Sequence, residues 1–255
     1  MKNIFFFTFL IFYLTSTSQE INNLKKFKII SVDQFENIFL CEEKKIIKIR
    51  KFDQKRLEYD FSQFGQLTKI ITTNPLRTTL FFEESQTIIF LDKNLNKLNT
   101  KLKTQNIQNN ITSDIETHSN LIFLLSEKKN EVCTYDLKKS QITNCNKKLE
   151  IRGNKYLKLF LNKENLMLLS NEKIVVLDEN LIPKITYKIE NCEQLFFNND
   201  STYLKVKNEL YKASTMYMDN IFFVKNLPKS NLLYIQNNIL FEWRDNFLWQ
   251  EKLTK

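Results

Sequence analysis

The stretch TNPLRTTLFFEESQTIIFLDKNL, residues 73–95, contains two short apolar runs that are separated by a polar turn. Runs of this length, rich in β-branched and aromatic residues and bounded by turn residues, are typical of paired β-strands. Apolar runs also precede and follow the stretch, so it forms the centre of a four-stranded unit. The predicted strands are Leu67–Thr72, Thr78–Glu83, Gln86–Leu91 and Asn96–Leu102.

The same order of features recurs along the chain. An apolar strand, a charged turn, a second apolar strand and a closing aspartate occur four times, and the aspartates are 39, 44 and 42 residues apart. A period near 40 residues with several strands per period is the signature of a β-propeller blade. The closing aspartates are Asp53, Asp92, Asp136 and Asp178.

These repeats predict an all-β fold, a β-propeller of about six blades. Five blades or another repeated antiparallel β-sheet architecture are the alternatives. Two later segments keep the paired strands without the closing aspartate, and the last of them lacks a clear outer strand. Residues Ile21 to Lys26 are predicted to supply that strand and to close the ring. The fourth repeat has predicted strands at residues 157–161, 165–170, 173–177 and 184–189.

Residues 1–18 have the three parts of a secretory signal, namely a basic start, an apolar run from Ile4 to Leu14 and a small polar stretch that ends at Ser18. The apolar run is shorter than the roughly 20 residues that a membrane-spanning helix needs. We therefore predict a signal peptide at 1–18 and a single domain at 19–255 without an integral membrane segment. The predicted location is secreted, periplasmic or at the cell surface. An uncleaved signal anchor is the alternative.

The opening stretch resembles a segment of small exported bacterial proteins of the WD40/YVTN-like β-propeller kind, most of them uncharacterised. The resemblance is closest over residues 65–100 and is generic elsewhere. The histidine and Trp-Asp signatures of true WD40 repeats do not occur in this sequence. The resemblance therefore implies a propeller fold and export, and it assigns no catalytic residue.

The sequence has little catalytic equipment. Its one histidine, His118, is interpreted as a turn residue before a strand, and one histidine without a Cys-x-x-Cys pair excludes the common zinc sites. Two glycines cannot form a phosphate-binding loop. We predict no metal, cofactor or catalytic residue, and we favour a non-enzymatic binding or scaffold module. A carboxylate-dependent propeller hydrolase acting on envelope carbohydrate stays open, because Glu42-Glu43 and Glu83-Glu84 occupy equivalent turns.

The four cysteines of an exported chain call for a disulfide analysis. In VCTYDLKKSQITNC, a turn centred on Lys139 places Cys133 opposite Cys145 on adjacent strands. We predict a possible disulfide between these two residues, with free buried cysteines as the alternative. Cys41 and Cys192 remain without a partner in this scheme.

Each closing aspartate directly follows a strand. A carboxylate in this position accepts hydrogen bonds from backbone N–H groups a residue or two ahead and stabilises the turn. A structural role is therefore favoured over a ligand-facing one. The spacing of these residues does not resemble a calcium-binding loop, which needs several oxygen ligands within about a dozen residues.

The chain is basic, with 38 Lys and Arg against 29 Asp and Glu, and removal of Lys2 with the signal peptide reduces the net charge from +9 to +8. This favours an acidic partner, either a protein or an anionic envelope polymer, and nucleic acid is unlikely. Solubility alone is the alternative explanation. We hypothesise that the face with the turns between third and outer strands is the more basic one. Its predicted binding residues are Lys93, Lys97, Lys138 and Lys139.

Four aromatic residues surround a turn near the end of the chain, and both tryptophans are among them. Alternating strand positions favour packing between blades. Stacking against sugars or peptide side chains is the alternative. The residues are Phe241, Trp243, Phe247 and Trp249.

Overall fold

The computed structural model describes residues 27–108, 111–146, 156–162, 165–198, 201–214, 218, 220–227, 232–244 and 247–253. Within these ranges, 23 β-strands form six antiparallel sheets in which consecutive strands pair. The sheets stand in a ring, so the fold is a six-bladed β-propeller. The predicted signal peptide and the predicted closing strand at 21–26 lie outside the described residues.

The first strand of each blade is the inner one. Blade 1 contains β1 (Phe27–Val32), β2 (Ile38–Glu42), β3 (Lys45–Ile49) and β4 (Arg56–Asp60); blade 2 contains β5 (Lys69–Asn74), β6 (Arg77–Phe82), β7 (Thr87–Asp92) and β8 (Lys97–Lys103); blade 3 contains β9 (Asp114–His118), β10 (Leu121–Ser126), β11 (Glu131–Asp136) and β12 (Gln141–Asn146). Blade 4 contains β13 (Tyr156–Asn162), β14 (Asn165–Ser170), β15 (Lys173–Leu177) and β16 (Pro183–Lys188); blade 5 contains β17 (Cys192–Asn198), β18 (Ser201–Val206), β19 (Glu209–Ser214) and β20 (Phe222–Asn226); blade 6 contains β21 (Leu232–Gln236), β22 (Ile239–Arg244) and β23 (Phe247–Lys252).

Two short helices connect blades, a 3-10 helix at Ser62–Phe64 and α1 at Thr104–Gln108. In the described part of the chain, no helix has the length and apolar character that crossing a membrane requires.

The hairpin of the opening stretch is formed by β6 and β7, in which Thr79 pairs with Phe90 and Leu80 with Ile89. The predicted strands of blades 2 and 4 differ from the observed ones by at most two residues at either end, and β14 and β15 coincide with their predictions. The small shifts arise because hydrogen bonds of the ladder determine where a strand ends, whereas apolar composition only marks its centre.

The core of the molecule lies between neighbouring blades. Phe39 of blade 1 and Leu80 of blade 2 belong to one buried cluster, and equivalent clusters fill the other gaps. Between the last blade and the first, the ring of Phe27 stands perpendicular to that of Trp243, with 4.6 Å between the ring centroids. Burial of each such side chain contributes about 1.5–3 kcal/mol to the stability of the fold, so these contacts hold the ring closed.

The turns use side-chain-bearing residues where other proteins often use glycine. Glu43, Gln86 and Lys207 adopt positive φ angles of 48–53° in turns between second and third strands. Leu95 and Leu181 adopt φ 65° in turns between third and outer strands, and both side chains are buried. Burial of the leucine side chain offsets the cost of the left-handed conformation.

Candidate binding face

The turns of the propeller lie at two ends of the ring. Turns between inner and second strands share one end with turns between third and outer strands, because antiparallel strands reverse direction at every turn. We call this end the binding face and the other end the opposite face. The described turns of the binding face are residues 33–37, 50–55, 75–76, 93–96, 119–120, 137–140, 178–182, 218 with 220–221, and 237–238.

Large apolar side chains stand in solvent on the binding face. Phe52 is 100% exposed, Leu76 is 69% exposed and Phe35 is 60% exposed. They lie in turns of blades 1 and 2, which are neighbours in the ring. These exposed apolar side chains make this end of the ring the candidate docking surface.

The two phenylalanine-bearing turns of blade 1 are joined by hydrogen bonds. Asp33 Oδ1 accepts from the backbone N–H groups of Phe35 and Asn37, at 3.0 and 2.9 Å. The backbone N–H of Lys51 donates to Asn37 Oδ1 at 3.1 Å, which links the first turn to the turn that carries Phe52. The two rings are therefore presented by one ordered unit.

The predicted binding lysines divide into two groups. Lys93, Lys138 and Lys139 are exposed in turns of the binding face. Lys97, which we expected in the same type of turn, is instead the first residue of β8. Its ammonium lies 5.2 Å from the centre of the Phe64 ring, which attracts the cation. Lys97 is thus engaged on the side of blade 2 and does not belong to the binding face.

The closing aspartates lie beside these lysines and organise the turns. Asp92 Oδ1 accepts from the backbone N–H groups of Asn94 and Asn96, each at 2.8 Å, and Oδ2 accepts from Asn96 Nδ2 at 3.0 Å. The Asn96 side chain and these N–H groups lower the pKa of Asp92. Asp136 and Asp178 accept backbone N–H groups in the same way.

The acidic residues of these turns balance the basic ones, so the binding face carries no net excess of positive charge. The carboxylates of Asp92 and Asp136, however, point back toward the backbone, whereas the lysine side chains extend into solvent. A partner that approaches the face therefore meets ammonium groups first.

Replacement of Asp92 with alanine should lower the free energy of unfolding by about 1–2 kcal/mol, because three hydrogen bonds to a charged acceptor are lost at a partly solvated turn. Asp92→Asn keeps an oxygen acceptor and should recover most of this loss. Urea unfolding of the two variants measures the difference. Equal losses for both would exclude the Asx-turn role.

Three charged side chains meet at the centre of the ring. Lys69 Nζ of β5 lies 3.0 Å from Asp114 Oδ2 and 2.8 Å from Glu116 Oε1, both on β9. Lys69 Nζ also donates to the carbonyl of Leu159 on β13 at 2.9 Å, and the N–H of Leu159 donates to Asp114 Oδ2 at 2.7 Å. This cluster, which we call the channel triad, joins the inner strands of blades 2, 3 and 4.

The channel triad has more negative than positive charge, because two carboxylates share one ammonium. Burial raises the pKa of Glu116, and the attraction of Lys69 offsets this only in part. Burial lowers the pKa of Lys69, but Asp114 and Glu116 outweigh it and raise this pKa above its ordinary value. Both carboxylates are occupied in holding Lys69, and this favours a structural role over acid–base catalysis.

A cleft of about 670 Å³ lies on the opposite face, lined by polar groups that include Gln66, Gln105 and Lys28. Glu83 and Glu84 lie in its wall, and burial raises the pKa of Glu83. The equivalent pair in blade 1 does not converge on this cleft, because Glu42 ends β2 and contacts the outer-strand Arg56 at 3.8 Å. The two acidic pairs therefore do not form one site.

A disulfide joins Cys133 of β11 to Cys145 of β12, which are directly opposite in the ladder with a Cα–Cα distance of 4.1 Å. Glu131 lies close to both sulfurs, but sulfurs in a disulfide have no thiolate to offer a metal ion. Cys41 and Cys192 are buried, and burial raises the pKa values of their thiols to about 11 and about 12. These two thiols are therefore protonated and unreactive at neutral pH.

His118 and the four aromatic residues near the end of the chain occupy different environments. His118 is the exposed last residue of β9, so its interpretation as a turn residue before a strand is wrong. In the ladder with β10, His118 pairs with Leu121. Phe241 and Trp243 are buried between blades 6 and 1, as core packing predicts, whereas Phe247 and Trp249 are partly exposed.

The chain matches no protein-family model and no curated protein sequence. It is similar to a chain of the mitotic checkpoint complex, with TM-score 0.66 and 8% identity over 99% of this chain and 100% of that chain. The Pan2 WD40 domain of Neurospora crassa gives TM-score 0.60 and 11% identity over 85% and 72% of the two chains. Virginiamycin B lyase of Staphylococcus aureus gives TM-score 0.60 and 13% identity over 90% and 85%. At these sequence identities, the similarities show only that this chain has the β-propeller fold.

Proposed function

We propose that this chain is an exported, non-enzymatic binding module of the cell envelope, which contacts the acidic surface of a protein partner through its binding face. The observation that carries the proposal is Phe52, whose side chain is 100% exposed at the binding face. Removal of an apolar ring of this size from water contributes about 1.5–3 kcal/mol to the free energy of binding. A partner that covers Phe52 gains this contribution.

The surroundings of Phe52 support a protein as the partner. Phe35 and Leu76 are further exposed apolar residues in turns of the same face, and exposed apolar side chains of this kind are typical of surfaces that bind other proteins. The hydrogen bonds of Asp33 and Asn37 hold the turns in place before binding. Binding therefore loses little conformational entropy in these turns.

Three lysines of the face support an acidic surface on that partner. Lys93 is exposed in a turn of blade 2, and Lys138 and Lys139 are exposed in a turn of blade 3. Ammonium groups at the rim of an apolar contact attract carboxylates and increase the association rate. Surfaces that carry aspartate and glutamate beside apolar residues therefore fit this face.

Export is supported by two observations on the chain. Residues 1–18 have the pattern of a secretory signal. Disulfides such as Cys133–Cys145 persist mainly in oxidising compartments. The non-enzymatic character is supported by the channel triad, whose two carboxylates both bind Lys69.

The test compares two triple charge reversals that change the net charge equally. Lys93, Lys138 and Lys139 become glutamate in the first bait, and the exposed Lys44, Lys128 and Lys129 of the opposite face become glutamate in the second. Immobilised wild-type chain and both baits are incubated with solubilised envelope proteins. The first bait should bind the retained protein about 10- to 100-fold more weakly than wild type, because the rim charges are now repulsive. The second bait should bind as wild type does.

A third bait, Phe35→Ser with Phe52→Ser, tests the apolar contact at unchanged charge, and it should also lose the retained protein. Increasing salt should weaken binding of the wild-type chain, because interactions between exposed charges more than about 10 Å apart are screened at 0.1 M salt. Equal binding by all baits would overturn the proposal. Retention of a carbohydrate that survives protease treatment of the extract would replace the protein partner with an anionic polymer.

A further inference from the structure

The outer strands form the rim of the propeller, and the rim carries much of the positive charge of the chain. The five described outer strands have a net charge of +5, compared with +9 for the whole sequence. Three of these charges belong to β8 of blade 2, which contains Lys97, Lys101 and Lys103 and no acidic residue. The excess charge that the binding face lacks is therefore found on the rim, and β8 carries most of it. We call these three residues the lysine row.

The lysine row is evenly spaced on one side of the sheet. Its members pair with every second residue of β7, namely Leu91, Ile89 and Thr87. A register shift of β8 between Lys97 and Lys101 takes up the extra residues of that strand. Alternate residues of a strand lie on one face, about 7 Å apart. The three lysines therefore leave the sheet on the same side and at a regular step.

The ammonium groups of the lysine row are held in place without being neutralised. Lys97 Nζ and Lys101 Nζ lie 5.2 and 5.1 Å from the centre of the same ring, that of Phe64. Lys103 Nζ donates to the carbonyl oxygen of Ser85 at 2.8 Å. In the part of the chain that the structure describes, none of these contacts is an ion pair. Ammonium groups that share one ring repel each other, so an anion that lies along the row is attracted by all three.

Protection of the strand edge does not account for three lysines. Charged side chains on an edge strand prevent it from associating with other edges. The outer strand β12 has no charged residue, however, and β20 has one lysine. An outer strand of this propeller therefore does not require a row of three, and a ligand explains the row better.

We propose that the lysine row binds a linear anionic polymer of the envelope, in which three-carbon polyol units join phosphodiester groups. Two residues of a strand contain six backbone bonds, and neighbouring phosphorus atoms of such a polymer are also six bonds apart. Extended chains of six bonds span about 7 Å in both molecules. Each ammonium can therefore contact one phosphate group, and lysine binds phosphate as a point charge. The envelope setting of the polymer rests on the proposed function, whereas the contact itself does not.

A single strand of nucleic acid has the same number of bonds between phosphates, but it also presents bases. Proteins that bind such strands stack the bases on aromatic side chains. Phe64, the ring that Lys97 and Lys101 cover, is only 4% exposed and offers no surface for stacking. A polymer without bases therefore fits the lysine row better.

Fluorescence anisotropy of labelled poly(glycerol phosphate) with the purified chain tests the proposal. Replacement of the whole lysine row with glutamine should weaken binding at least about 10-fold, because three phosphate contacts are lost. The matched control replaces the exposed Lys44, Lys128 and Lys129 of the opposite face with glutamine, and it should bind as the wild type does. A plot of the logarithm of the wild-type binding constant against that of the salt concentration should have a slope of about −2, which corresponds to three contacts with a single strand.

A triple arginine variant of the lysine row separates lost contacts from a damaged fold. Arginine keeps the charge and can also lie over the Phe64 ring, so this variant should bind the polymer at least as tightly as the wild type does. A polyuronate and an oligothymidylate of equal charge should bind more weakly than poly(glycerol phosphate). Sugar rings set a different spacing of the carboxylates in the first, and the bases of the second find no surface for stacking.

Absence of polymer binding by the wild type, equal losses in the two glutamine variants, or tighter binding of either competing polymer would overturn the proposal. The outcome is distinguishable from failure of the proposed function. The glutamine variant of the lysine row should still retain the envelope protein, and the bait with Lys93, Lys138 and Lys139 reversed should still bind poly(glycerol phosphate).

Discussion

Replacement of Lys69 with methionine is expected to lower the free energy of unfolding by about 3–5 kcal/mol at neutral pH. The ammonium of Lys69 lies within 3.0 Å of Asp114 and Glu116, whose side chains are 8% and 9% exposed. Without Lys69, Asp114 and Glu116 lose the ammonium that both of them bind, and Lys158 remains only as a countercharge near Asp114. Burial of poorly paired charge is among the most destabilising changes in proteins. Urea unfolding measures the loss.

Two further variants separate this effect from a general intolerance of substitution. Glu116→Gln leaves the ion pair of Lys69 with Asp114 and removes the excess negative charge, so it should cost at most about 1 kcal/mol. Lys45→Met removes an exposed pair with Glu58 and should change the free energy of unfolding by less than about 1 kcal/mol. If Lys69→Met cost no more than Lys45→Met, the channel triad would have no structural role.

The loss in Lys69→Met should also depend on pH. Removal of the lysine takes away the group that favours the charged form of Glu116, so the pKa of Glu116 rises further in the folded variant. A carboxyl whose pKa is higher in the folded state than in the unfolded state stabilises the fold at pH values below the unfolded-state pKa. This stabilisation is lost as the pH rises through the folded-state pKa. The deficit relative to wild type should therefore shrink as pH falls toward 4.5, the ordinary pKa of Glu116. A deficit that is constant with pH would point to lost packing rather than to unpaired charge.

Removal of the disulfide, by Cys133→Ala with Cys145→Ala, should lower the free energy of unfolding by about 3 kcal/mol. The sequence separation of 12 residues corresponds to this value in the chain-entropy treatment, since the cross-link restricts the unfolded chain over the closed loop. The ladder between β11 and β12 should persist in the folded variant because the backbone pairing does not need the bridge. Thermal unfolding with and without a reductant measures the effect.

The free cysteines provide the control for this prediction. Cys41→Ala and Cys192→Ala each delete a buried side chain but no cross-link. A reductant should destabilise these two variants as much as it destabilises the wild type, and it should leave the double-alanine variant unchanged. A reductant that has no effect on the wild type would contradict a stabilising disulfide.

The repeated hairpins and their turns follow from local sequence. In β6 and β7, alternating positions and a polar turn bring residues together that are about ten apart, and the period near 40 residues then predicts a ring of such units. The aspartate turns and the opposition of Cys133 and Cys145 depend on neighbours along one hairpin. A single strand or turn determines these features, so the sequence alone was sufficient to predict them.

The channel triad could not be found in this way. Lys69 and Asp114 are 45 residues apart, and in the sequence each is one charged residue in an ordinary strand. A faint signal existed, because Asp114 and Glu116 occupy alternate positions of an inner strand and so share one side of it. The partner of these residues is determined only when the ring brings the inner strands of blades 2, 3 and 4 together.

The exposure of Phe52 was equally hidden. Phe52 lies in a turn of otherwise polar residues, and the sequence does not show whether such a ring turns back onto the core or stands in solvent. The sequence by itself thus determined the blade, its aspartate turns and the position of the disulfide, because these depend on residues within one repeat. Only the tertiary structure decided which charges share the channel, where Lys97 points and which aromatic rings remain in solvent, because these depend on how separate blades pack against one another.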